Sequence, residues 1–210
     1  MMKKYKTYVF RAVSVALMLA IAICAASVNP VSAKTKESKA HNIVILYFSA
    51  TGVTKATAQK VRKATKGKLI EIKAFEPYTE EDLDYGNDES RVVKEHETAD
   101  SPAASSLRPE ISNMDIIKKA VKKADVVYIG YPVWWGEAPH IVYSLVENIN
   151  LKKKTVMPFC TSVSSGLGNS AKHLKANANI SNKTTWLKGR NFYDVPSQKT
   201  VNKWLKGLKY

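Results

Sequence analysis

Two spacings of apolar residues alternate along the chain. Residues 43–48 (IVILYF), 126–131 (VVYIGY) and 155–160 (TVMPFC) are short, almost unbroken apolar runs. They are too short for ordinary helices, and continuous apolarity suits a strand buried on both faces, as in a parallel sheet. Residues 69–74 (LIEIKA) instead alternate apolar with charged from Ile70 onward, which predicts a strand at an edge. Helical spacing appears between the runs. Val53, Ala56, Thr57, Val61 and Ala64 form one stripe; Met114, Ile117, Val121 and Ala124 form another. Ile141, Val142, Leu145, Val146 and Ile149 form a third, a further helix begins near Ala171, and Val201, Trp204, Leu205 and Leu208 mark a terminal one. Residues 184–187 read as a last strand. Residues 82–96 are predicted helical through Leu83, Val92 and Val93, and 100–106 as loop. Five β-α units in succession predict an α/β fold, a parallel sheet with helices on both faces. Ligands of such folds bind at the carboxyl edge of the sheet.

Before these units the pattern changes. Lys3, Lys4, Lys6 and Arg11 precede an apolar stretch at 12–26, and Pro30 precedes a small-x-small site at Val31-Ser32-Ala33. This predicts a secretory signal peptide over 1–33 cleaved after Ala33, a polar linker over 34–41 and one domain over 42–210. A retained anchor is the rival, although the apolar stretch is short for a span of ~20 residues. A lipoprotein reading through Cys24 is weaker, because Ile23 stands where a small residue is expected. Cleavage removes four basic residues and no acidic one, taking the net charge from +15 to about +11. Such a surface is attracted to an anionic cell envelope. The lysines are scattered and no helix-turn-helix or zinc pattern occurs, so no specific nucleic-acid binding is expected. Only Cys160 would remain, which excludes an internal disulfide.

The candidate chemistry lies in three loops that follow the three most apolar strands. The first, Ser49-Ala50-Thr51-Gly52-Val53-Thr54, opens a helix. Hydroxyls, a glycine and unpaired N–H groups at a helix start suit a phosphate; the same residues also serve as an ordinary N-cap. It lacks GxxxxGK[ST] and GxGxxG, so neither a nucleotide P-loop nor a dinucleotide fold is supported. The second, Pro132-Val133-Trp134-Trp135-Gly136, carries adjacent tryptophans. The third runs from Thr161 through Ser162, Ser164, Ser165 and Gly166 to Gly168 and offers backbone to a polar ring edge. A flat aromatic phosphomonoester such as FMN satisfies all three. Ser164 and Ser165 match no GxSxG elbow, so no catalytic nucleophile is assigned. Glu137, next to the second loop, reads as a solvated loop carboxylate, with a proton donor as the alternative; His140 reads as a helix start and His173 as a surface residue. No cluster has metal-ligand spacing.

The segments YFSATGVT (47–54), IGYPVWWGEAP (129–139), PFCTSVSSGLGNS (158–170) and LRPEI (107–111) resemble the flavodoxins, in particular the short secreted or lipoprotein flavodoxin-like proteins of bacteria. The resemblance covers roughly 42–210. It implies a flavodoxin-like three-layer sandwich whose five-stranded parallel sheet has the order 2-1-3-4-5, with FMN at the carboxyl edge. It places the phosphate on Ser49, Thr51, Gly52, Val53 and Thr54, and the ring against Pro132, Val133, Trp134, Trp135 and Gly136, with Trp135 stacking. The pyrimidine edge falls against Thr161, Ser162, Ser164, Ser165, Gly166 and Gly168. Three functions follow: an exported electron carrier serving a redox partner protein or a small acceptor, an FMN-dependent NAD(P)H (quinone) oxidoreductase, or an exported binding protein without the cofactor. Unlike the acidic flavodoxins this chain is basic, which predicts a flavin couple less negative than theirs and Lys55 near the phosphate.

Overall fold

The computed structural model describes residues 41–208. The predicted signal segment, its predicted cleavage site and the predicted linker up to residue 40 fall outside them. Six strands are present: β1 (Ile43–Tyr47), β2 (Lys68–Glu71), β3 (Val126–Pro132), β4 (Thr155–Thr161), β5 (Thr185–Trp186) and β6 (Arg190–Phe192). All pair in parallel in the order β2-β1-β3-β4-β5, and β6 also pairs with β4. The implied 2-1-3-4-5 order is therefore present. The unbroken apolar runs are the three central strands, and the alternating segment is the edge strand β2.

Alternate residues of the central strands point to opposite faces. Ile45, Tyr47, Tyr128 and Phe159 face α1 (Val53–Thr65) and α6 (Gln198–Lys206) through Ala58, Val61 and Val201. Across the sheet, Val44, Leu46, Val127 and Ile129 meet Ile117 and Val121 of α3 (Met114–Lys123). They also meet Ile141 and Leu145 of α4 (His140–Asn148) and Leu174 of α5 (Ser170–Asn177). Each fully buried Leu or Ile contributes about 1.5–3 kcal/mol relative to exposure. The remaining helix, α2 (Arg91–Glu97), belongs to a long excursion between β2 and α3.

Three expectations need correction. The buried stripe of α1 is Thr54, Thr57, Ala58 and Val61, whereas Ala64 is exposed. Threonine methyls take the core positions, and the Thr57 hydroxyl is satisfied by the Val53 carbonyl at 3.0 Å. The helix predicted over 82–96 shrinks to a 3-10 turn at Glu81–Leu83 and to α2. Between them Asp84 accepts from Gly86 N and Asn87 from Glu89 N, both at 2.9 Å. Local side-chain bonds of this kind outcompete helix. The last strand is split into β5 and β6. Pro158 of β4 has no N–H to offer this edge, and Gly189 crosses it at φ +81°, where a Cβ would stand 2.7 Å from the Pro158 carbonyl oxygen.

Candidate functional site

The loops after β1, β3 and β4 converge at the carboxyl edge of the sheet. In the first, the Ser49 hydroxyl accepts from Gly52 N and Lys55 N, each at 3.1 Å. Gly52 sits at φ +90°, where a side chain would be strained, and opens α1. Ala56 N is taken by the Gly52 carbonyl at 2.9 Å. The N–H groups of Thr51, Val53 and Thr54 have no acceptor among the described residues. Thr51 is exposed and Thr54 buried. The Thr54 hydroxyl lies 2.7 Å from that of Thr161, tying the first loop to the third. A hydroxyl carries one proton and two lone pairs, so one member of this pair keeps a proton for a further acceptor. Lys55 turns aside to Glu71, 3.8 Å away, rather than toward the loop.

The second loop is a tight turn. Trp134 N donates to the Glu137 carbonyl and Glu137 N to the Trp134 carbonyl, both at 2.9 Å. The central residues Trp135 and Gly136 have φ +47° and +80°, the pattern of a type I′ turn. Positive φ at a tryptophan is uncommon, and it throws the side chain outward. Trp135 is 43% exposed. Its ring is stacked on His96, with centroids 4.3 Å apart and planes within 4°, and Tyr85 tilts against it at 4.5 Å. Trp134 turns inward and packs edge-on against Phe48 and Tyr78. The adjacent tryptophans thus have different environments, one in the core margin and one at the surface.

The third loop is held by Ser162 N to the Phe192 carbonyl at 3.1 Å and joined to the second by Val133 N to the Thr161 carbonyl at 3.0 Å. Gly168, at φ +51°, lies against the second loop: a Cβ there would stand 2.1 Å from the Gly136 carbonyl oxygen. Thr161 and Ser162 are buried, Ser164, Ser165 and Gly168 exposed, and Gly166 half-buried. The loops therefore form one connected cradle. Pro132, the last residue of β3, and Val133 are half-buried at its floor.

Glu137 is not a solvated carboxylate. Its side chain is 12% exposed, 2.9 Å from His173 Nδ1, and accepts from the Tyr143 hydroxyl at 3.2 Å. These contacts brace the Trp135 turn from beneath. His140, at the start of α4, is buried, and burial pushes its pKa down to about 4, with the charges of Arg108 and His96 adding to the shift. Glu95 stands 3.9 Å from it. The Glu95 oxygens accept from the Tyr78 hydroxyl at 2.8 and 2.9 Å and from Arg91 Nε at 2.8 Å. Burial raises the Glu95 pKa, against the lowering effect of those bonds.

The excursion between β2 and α3 supplies the residues that sequence reasoning missed, Tyr78, Tyr85, His96 and Glu95. Their signal was weak, because they are spread through a polar segment without a period. Arg108 of the LRPEI segment holds the excursion down. It forms a two-pronged pair with Glu147 of α4 at 2.8–3.0 Å and donates to the carbonyls of Pro102, Ser105 and Leu107. Ala74 and Ile111 close the base of the excursion as an antiparallel bridge. The excursion also redistributes charge. Twelve of the 18 acidic residues lie between Glu71 and Glu110, beside only four basic ones. The carboxyl edge is thus flanked by acid although the chain is basic.

The flavodoxin family pattern matches residues 42–208. Among solved structures, a protein of Bacteroides eggerthii assigned as a flavoprotein is 38% identical over 79% of this chain and 96% of its own, with a TM-score of 0.68. A similarly assigned protein of Bacteroides uniformis is 34% identical over 80% and 99%, with a TM-score of 0.64. A flavoprotein of Lactobacillus acidophilus in complex with FMN is 21% identical over 79% and 99%, with a TM-score of 0.51. None of the curated proteins matches in sequence.

Proposed function

Because the chain belongs to the flavodoxin family, we propose that it holds FMN at the carboxyl edge of the sheet and works as an exported electron carrier. The observation that carries this reading is the helix start at 51–54, where three N–H groups lack acceptors among the described residues, beside an open glycine. A phosphate monoester completes them without a lysine. Thr51 and the proton left over on the Thr54–Thr161 pair add hydroxyl donors. The Trp135 ring offers a flat surface, and the 161–168 loop brings backbone groups to the ring edge. FMN supplies one- and two-electron transfer when bound. The chain's own contribution is to bind and orient it, and to keep Trp134 and Phe48 packed beneath the turn.

The test is isolation from the native host. The protein should carry yellow FMN, released on denaturation in a one-to-one ratio, and its secreted form should begin at Lys34. Turnover of NAD(P)H should be slow without a partner, whereas rapid turnover would identify a reductase. Colourless protein that also fails to bind added FMN would sink the reading.

The tryptophans should separate cleanly. Trp135→Ala is expected to weaken FMN and restore much of the bound flavin's fluorescence, since Trp135 is exposed at the cradle. Trp134→Ala should instead destabilise the fold by about 2–3 kcal/mol, through its lost contacts with Phe48 and Tyr78. Titration and thermal melts of both variants check this; a larger loss of affinity in Trp134→Ala would reverse the assignment.

A further inference from the structure

The edge opposite the cradle has a different electrostatic character. The loops that enter β2, β4 and β5 carry Lys66, Lys152, Lys153, Lys154 and Lys183, and Lys123 ends α3 just before the loop that enters β3. The single acid among them is Asp125, whose Oδ2 already accepts from Asn42 N at 2.9 Å. Lys66, Lys123, Lys152, Lys153 and Lys183 are exposed and form no ion pair among the described residues. Beside them lies a shallow groove of about 1120 Å³, lined by Lys66, Lys68, Lys119, Lys122 and Lys123 and reached by His41.

Helix dipoles explain only part of this. α1 and α3 end at this edge with Arg62, Lys63, Lys122 and Lys123 in their last turns, where cations are favoured. The last turn of α4 has no basic residue, yet the run Lys152-Lys153-Lys154 follows it. Strands of 5–7 residues separate the two edges, or about 20 Å at ~3.3 Å per residue. That exceeds two screening lengths of about 8 Å at physiological salt. The acidic collar and the lysine edge therefore act independently.

We propose that the amino edge of the sheet is a docking face for an anionic lipid bilayer. The lysines are spread over three loops, the end of α3 and a groove, which makes a face rather than a track along a single chain. The polypeptide also enters this face, at His41 and Asn42. Immediately upstream in the sequence stand Lys34, Lys36 and Lys39, which remain after the predicted cleavage behind Ala33. Clustered lysines are attracted to anionic leaflets. Docked in this way, the cradle points away from the membrane. The inference rests on charge and topology alone and is independent of the flavin reading.

The exported chain, beginning at Lys34, is sedimented with vesicles of phosphatidylcholine alone and with phosphatidylglycerol added. Neutral vesicles measure binding that does not depend on lipid charge. Phosphatidylglycerol should strengthen binding at least tenfold at low salt. A variant carrying Lys66→Glu, Lys123→Glu, Lys152→Glu and Lys153→Glu should lose that gain. A control of identical net charge, with Lys172→Glu, Lys188→Glu, Lys199→Glu and Lys203→Glu, should keep it. Equal losses in both variants would reduce the effect to net charge and overturn the assignment. Indifference to phosphatidylglycerol would overturn it too, as would preference for soluble polyphosphate over vesicles. FMN absorbance of the same samples reports the cradle separately, so failure of one reading is distinguishable from failure of the other.

Discussion

Thr51→Ala is expected to weaken FMN binding about 10- to 100-fold while leaving riboflavin nearly unchanged. Thr51 is exposed at the helix start, beside N–H groups that have no acceptor among the described residues. A hydrogen bond to a charged group contributes about 1.5–3 kcal/mol, which converts to one or two decades of affinity. Riboflavin has no phosphate to lose the bond. Thr54→Val tests a different arm of the same cradle. It removes the partner of the buried Thr161 hydroxyl, 2.7 Å away, and so loosens the link between the first and third loops. Both ligands should weaken in that variant, FMN the more. Isothermal titration with the two ligands checks both outcomes. Equal losses of FMN and riboflavin in Thr51→Ala would place the phosphate elsewhere.

Acid should destabilise the fold through His140, before the carboxylates titrate. Its pKa is pushed down to about 4 from an ordinary value of 6.5, with burial as the main cause. The folded state therefore binds fewer protons than the unfolded chain between these values. Stability that is complete above pH ~6.5 is lost as pH falls toward ~4, by about 2–3 kcal/mol. Glu95 works in the other direction. Its raised pKa means the folded state takes up a proton more readily, so its contribution grows as the solution is acidified through the ordinary carboxylate range. Comparison with a neutral variant isolates the histidine. His140→Gln should flatten the slope of denaturation midpoint against pH between about 6.5 and 4. Parallel slopes in the two proteins would show that His140 is not the group responsible.

The strands at 43–48, 126–131 and 155–160 were legible because a parallel strand covered on both faces has no polar position to interrupt it. The three loops were legible for a related reason. A helix start able to take an anion is built from small residues, hydroxyls and glycine, and these stand together in sequence. The order of the strands was not a matter of periodicity; it followed from the resemblance carried by the loop segments. The helix predicted over 82–96 failed because Asp84 and Asn87 bond their own neighbourhood, a competition that apolar spacing does not register. Pro158 was read correctly as part of a central strand. Its consequence, a split partner at 185–192, depends on which edge its missing N–H faces.

Sequence alone determined that this is an α/β chain whose candidate chemistry stands in three loops, because strand burial and loop composition are local properties. Tertiary structure alone decided how those loops are used. The Thr54–Thr161 pair spans 107 residues. The stack of His96 on Trp135 and the bracing of Glu137 by Tyr143 and His173 join segments with no common period. Charge shows the difference most clearly. A net value of +15 is a sum and carries no position. Folding back the segment from Glu71 to Glu110 places acid beside the cradle, while the turns that enter the strands gather lysine at the far edge, because those turns all lie at the same end of a parallel sheet.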